Sequence, residues 1–158
     1  MILSDGYATR YAAEEVRKRA QWAANAISDM MADTGATSVV VHGNSGVSCG
    51  FAALMLSPLD FNIVLLRKDN DNSHGAPIEG PAGHRLGRYL ILDDFVSTGS
   101  TLHRVRSRID TLYQQYREHE YELPEAVPVC VGAVLYGHHG TDTFKFSDGY
   151  IVPVVGRI

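Results

Sequence analysis

The chain has 158 residues, 45% of them apolar and 20% charged, with a net charge of −4 and a pI near 5.9. That length suits one domain with a core that needs no staples, and the acidic balance lacks the basic footprint expected of a nucleic-acid partner. No apolar stretch approaches membrane-spanning length, and Met1-Ile2-Leu3-Ser4-Asp5 lacks the charged and apolar regions of a signal peptide, so a cytoplasmic protein without a membrane partner is expected.

Ala8 to Ala32 places Ala12, Val16, Ala20, Ala23, Ile27 and Met30 or Met31 on one helical face, with Gly35 positioned to end the helix. Thr37 to Val41 is a short β-branched strand. His42-Gly43-Asn44-Ser45-Gly46 then forms a glycine-spaced loop opening into a second helix, Gly46 to Leu56. Such a loop can aim several N–H groups at an anion, while His42 is either a ligand contact or a histidine hydrogen-bonded locally at a strand end. Phe61 to Leu66 is an apolar strand, and Arg67-Lys68 directly after it is either an anion contact or a solvated loop start. Asp69 to Gly87, rich in Gly, Pro, Asn and His, exceeds ordinary loop length and reads as functional or disordered.

The segment Tyr89 to Leu102 carries most of the information. It is an apolar run that ends in Asp93-Asp94 and continues into a hydroxyl- and glycine-rich turn, after which Leu102, Val105, Ile109, Leu112 and Tyr116 recur at helical spacing. The turn therefore joins a buried strand to a helix N-terminus, where Ser97, Thr98, Gly99, Ser100 and Thr101 are suited to wrap a phosphate monoester. Carboxylates aimed at a phosphate would repel it, so Asp93 and Asp94 suit sugar hydroxyls or a hydrated cation. Phosphate, vicinal diol and Mg²⁺ together describe a phosphoribosyl ligand. Pro128 to Tyr136 completes the pattern as a further buried strand. The order α-β-α-β-loop-β-α-β implies an α/β fold, a mainly parallel twisted sheet with helices on both faces. Ligands of such sheets lie beyond the carboxyl ends of the strands, here His42, Arg67, Asp93 and Tyr136. Cys49 and Cys130 sit in apolar surroundings and read as two buried thiols.

Residues 89–102 resemble the signature of type I phosphoribosyltransferases: four apolar residues, two acids, two apolar residues, a small residue, Thr-Gly, any residue, and Ser or Thr. Leu90, Ile91 and Leu92 fill the strand, Asp93 and Asp94 the acidic pair, Ser97 the small position, and Thr98, Gly99 and Thr101 the phosphate loop. The resemblance implies that the acids bind the ribose hydroxyls of 5-phosphoribosyl-1-pyrophosphate (PRPP) and the loop its 5-phosphate, with Mg²⁺ carried by PRPP and Asp93 and Asp94 as its candidate protein ligands. It further implies that His42, Gly43, Asn44, Ser45 and Gly46, with Arg67 and Lys68, bind the pyrophosphate. By the same resemblance, residues 69–87 form a mobile catalytic loop. Glu79 there is either a proton acceptor or donor for the base or a solvated acid. A small hood over about residues 137–158 would hold the base, with Phe144, Phe146, Tyr150 and Ile151 as candidates; these residues read equally as an aromatic ribbon closing the core.

Hypoxanthine-guanine members of the family usually carry Asp where Ser97 stands, and orotate members place more lysines in the mobile loop. Residues 69–87 offer only His74, His84 and Arg85 as possible cations, so an adenine- or orotate-type acceptor is expected ahead of hypoxanthine or guanine, with orotate possible but not favoured. A phosphoribosyltransferase acting as a homodimer is the leading expectation from the resemblance; a non-catalytic PRPP-sensing regulator is the alternative.

Overall fold

A computed structural model describes residues 12–68, 76–94, 98–119, 127–138 and 142–157. The first helix, α1 (Ala13–Thr34), starts after the extended Ala12 and ends where Gly35 turns left-handed at φ 68° and donates its N–H to the Met31 carbonyl over 2.8 Å. Ala20, Ala23, Ile27, Met30 and Met31 are buried as the spacing requires, whereas Val16 is exposed. Residues 8–11 of the expected helix lie outside the described residues.

Among the described residues, seven strands form one sheet in the order β3-β2-β1-β4-β5-β7-β6. They are β1 (Ser38–His42), β2 (Asn62–Leu66), β3 (Ile78–Glu79), β4 (Arg88–Asp93), β5 (Val129–His138), β6 (Thr143–Lys145) and β7 (Ile151–Arg157). The five central strands pair in parallel, while β3 and β6 run antiparallel at the edges. Alternation along each central strand splits the core into two layers. Val39, Val41, Leu90, Leu92, Val134 and Tyr136 meet α1 and α2 (Gly43–Leu56) on one face. Val40, Tyr89, Ile91, Ala133 and Leu135 meet α3 (Ser100–His119) on the other. Because α2 leaves β1 for one face and α3 leaves β4 for the opposite face, the order reverses between β1 and β4, which opens a crevice above their carboxyl ends.

The second helix begins at Gly43, three residues before the expected Gly46. Gly43 takes φ 71° and makes the turn out of β1 in a single residue, so His42 to Gly46 is mostly a first helical turn and not a separate loop. The helix lies unusually close to the sheet. A Cβ on Gly46 would stand 3.3 Å from the Leu92 carbonyl oxygen, and one on Gly50 would stand 2.9 Å from Val41 Cγ1. Gly50→Leu is accordingly expected to cost about 2 kcal/mol through overpacking, even though leucine is the better helix former. Urea unfolding measures this; unchanged stability would show that α2 does not need its close seat.

Two expected segments change form. The described part of the long loop, residues 76–87, is tied down. Leu65 and Leu66 pair with Glu79 and Ile78, the Asn62 amide donates to His84 Nδ1 at 3.2 Å, and His84 Nε2 thus donates to Ser38 Oγ at 2.7 Å. Residues 69–75 lie outside the described residues. Within 137–158, β7 joins β5 in parallel and carries β6 on its far edge, so the described part of the expected hood widens the sheet; residues 139–141 and 158 lie outside the described residues. Cys130 is buried, but Cys49 is only half-buried. No helix among the described residues is long and apolar enough to cross a membrane.

Candidate active site

The acid pair stands at the mouth of the crevice. Asp93 is the last residue of β4, paired with Leu135, and is 7% exposed. Its Oδ1 accepts the Asp94 N–H at 2.9 Å. Burial, reinforced by the neighbouring Asp94 charge, pushes the Asp93 carboxyl up to about 6, against the pull of the Asp94 N–H and the Thr101 hydroxyl. Asp94 is held by its backbone, whose carbonyl accepts the Gly137 N–H at 2.5 Å.

Beyond the pair, Thr98 to Thr101 wraps the N-terminus of α3, a 20-residue helix. The Ser100 N–H donates to Thr98 Oγ1 at 3.3 Å, and the Thr98 hydroxyl donates to Ser100 Oγ at 3.1 Å. Gly99 takes φ 75°, and a Cβ there would fall 2.2 Å from the Phe144 ring. The first turn of α3 has backbone N–H groups without intrahelical partners and the positive end of the dipole, as the sequence predicts for a phosphate. Ser97, the small residue of the motif, lies outside the described residues.

A second helix N-terminus faces the crevice from β1. The His42 ring is buried, and its Nδ1–H donates to the Leu66 carbonyl at 2.9 Å, which leaves Nε2 as an acceptor. Burial lowers its pKa, opposed by that bond and helped by Arg104, Lys68 and Arg108, so the imidazole is neutral near pH 7. Lys68 reaches across from β2: its Cε and Nζ lie 3.5 and 3.9 Å from the place a Cβ would occupy on Gly43. His42, Gly43, Asn44, Ser45, Gly46 and Lys68 are thus brought together around the start of α2.

Other expected residues are placed elsewhere. Arg67 donates through Nε to Glu79 Oε1 at 2.9 Å and through its backbone N–H to the Pro77 carbonyl at 3.0 Å. Glu79 serves Arg67 as counter-ion on the edge strand, three strands from β4 or roughly 14 Å at ordinary strand spacing. The structure does not bring Glu79 to the acids. Phe146 is buried against α3, with the His103 ring 5.4 Å and the Arg106 guanidinium 4.5 Å from its centroid. The Tyr150 hydroxyl donates to the Cys130 carbonyl at 3.0 Å, at the foot of β5, five residues or roughly 16 Å from the partner of Asp93. Ile151 is exposed and pairs with Lys145. Of the three, Phe146 closes the α3 side of the core, Tyr150 is tied to the foot of β5 and Ile151 faces outward. Phe144, in contrast, covers the phosphate turn, a contact made across sequence distance that no local pattern announces.

Among the described residues no cluster of three or more His, Cys, Asp or Glu side chains could hold a metal. Asp93 and Asp94 offer adjacent hard oxygen donors. That set fits Mg²⁺ in the form it commonly takes, with one or two carboxylates completed by substrate oxygens and water.

No family model matches the chain, and no curated protein matches it in sequence. Solved structures do. Orotate phosphoribosyltransferase from Francisella tularensis superposes with a TM-score of 0.58 at 15% identity, over 92% of this chain and 67% of that one. UMP synthase from Leishmania donovani gives 0.55 at 18% identity, over 85% of this chain and 27% of that one. A phosphoribosyltransferase from Corynebacterium diphtheriae gives 0.50 at 19%, over 73% and 63%. Likeness at this level of identity concerns architecture. The chain has the type I phosphoribosyltransferase fold.

Proposed function

We propose that the chain transfers the 5-phosphoribosyl group of Mg-PRPP to a ring nitrogen of a nucleobase and releases pyrophosphate. The observation that carries this reading is the placement of an acid pair between two opposed helix N-termini at one crevice. Thr98 to Thr101 would take the 5-phosphate, Asp93 and Asp94 the ribose hydroxyls, and the first turn of α2 with Lys68 the diphosphate. Magnesium, held by the diphosphate and the acids, would offset charge developing on the leaving group. Substitution at the anomeric carbon needs alignment and charge stabilisation more than a protein nucleophile. Arg67 would add its charge only after parting from Glu79. The acceptor is of adenine or orotate type, since Ser97 stands where hypoxanthine-guanine members usually carry Asp.

One observation favours a second reading. Among the described residues, Phe146 is buried against α3, Tyr150 is bonded at the foot of β5 and Ile151 is exposed, an arrangement that suits a regulator binding PRPP without a base. Pyrophosphate release from Mg-PRPP, measured with adenine, orotate, hypoxanthine, guanine and nicotinate in turn, separates the two. Base-dependent release is expected and names the acceptor; saturable PRPP binding without release under any base would select the sensor.

A further inference from the structure

Tyr136 lies one residue beyond Leu135, the partner of Asp93, and one before Gly137, whose N–H holds the Asp94 carbonyl. Its ring belongs to the core layer beneath α2, with Val41, Ala53 and Leu92, and the residue is only 7% exposed. The phenol oxygen is buried and makes no well-formed hydrogen bond among the described residues, the Ser45 side chain being its one loose partner. Its polar surroundings are the Ser45 side chain from the first turn of α2 and the Asp93 and Asp94 carboxylates. Nearly all buried hydroxyls in folded proteins are well paired, so one left with only a loose bond at a helix N-terminus has room for a better partner that arrives from outside.

We propose that Tyr136 is a further substrate contact, its hydroxyl donating to a diphosphate oxygen held by the first turn of α2. This rests on the phosphoribosyl reading above. The face of the sheet decides which group it meets. The 5-phosphate turn opens α3 on one face, whereas Tyr136 points to the other, where α2 begins. Burial foremost, with the Asp94 and Asp93 charges adding to it, raises the phenol pKa, so the hydroxyl keeps its proton and stays a donor throughout the neutral range.

The test compares the wild-type chain with Tyr136→Phe by calorimetry in the presence of Mg²⁺, using PRPP, inorganic pyrophosphate and ribose 5-phosphate. Phenylalanine keeps the packing and removes an oxygen whose internal bonding is at most the loose contact with Ser45, so the melting temperature is expected to hold or rise. Affinity for PRPP and pyrophosphate is expected to fall about tenfold, the usual effect of losing a hydrogen bond to a charged group, with ribose 5-phosphate unaffected. Equal pyrophosphate affinity in both proteins would overturn the contact alone. So would a parallel loss of ribose 5-phosphate binding and melting temperature, which marks a structural role. Failure of the wild-type chain to bind any of the three would overturn the phosphoribosyl reading and the contact with it.

Discussion

Asp93→Asn is expected to raise the melting temperature by several degrees while weakening Mg-PRPP binding about a hundredfold. Burial holds the Asp93 carboxyl near 6, above its ordinary 3.8. A raised folded-state value means that the stability linked to this group is fully present below about pH 3.8 and is lost as pH rises through about 6. At pH 7 the ionised group thus costs about 3 kcal/mol, an upper figure because Asp94 shares in it. Asparagine removes the charge and retains an oxygen for the Asp94 N–H. Recovering even half of that cost would shift the melting temperature of a domain this size by about 5 °C. The same change deletes a charge-assisted acceptor for a ribose hydroxyl, an interaction of about 3 kcal/mol. Wild-type stability should fall between pH 5 and 7, and that of the variant should not. A variant that melts lower than wild type across this range would contradict the account of Asp93 as a strained, functional acid.

Gly99→Ala should act in the opposite sense, lowering stability and ligand binding together. The residue sits at φ 75°, where a side chain costs about 1 kcal/mol, and its new Cβ would collide with the Phe144 ring at 2.2 Å. Phe144 cannot swing away freely, because the His103 and Phe146 rings pack 5.1 and 5.0 Å from it, edge to face. A total loss of about 3 kcal/mol is expected from strain and displaced packing. Affinity for ribose 5-phosphate should fall at least tenfold as the turn opens. A double-mutant cycle with Phe144→Ala checks the cause: adding that change to Gly99→Ala should cost far less than adding it to wild type. Strict additivity would show that Phe144 does not set the turn.

The parts of this fold that were legible share a local origin. Leu90 to Leu92 flanked by Asp93-Asp94 and the Thr98-Gly99 turn is a contiguous pattern, and the helix after it repeats every three or four residues, so strand, turn and helix could all be read from neighbours in sequence. The start of α2 could not, because Gly43 is as suited to a loop as to the single left-handed residue that launches a helix. Glu79 looked like a loop acid because its two-residue strand is too short for any alternation to show; its pairing with β2 and with Arg67 is tertiary. Phe146 and Tyr150 carry the composition of a base pocket and of a core seal alike. Only the parallel pairing of β7 with β5 decides that they meet α3 and the foot of the sheet. His84, in the expected mobile loop, ties that loop to Ser38 and Asn62 through contacts no local pattern shows.

The most direct test of the central claim is a calorimetric titration of the wild-type chain with Mg-PRPP, repeated with the Asp93→Asn, Asp94→Asn double variant. Saturable one-to-one binding is expected that ribose 5-phosphate and pyrophosphate each compete away, and that is lost in a double variant still folded by circular dichroism. Mg-PRPP binding that persists undiminished without the two carboxylates, or no binding by the wild-type chain, would contradict it.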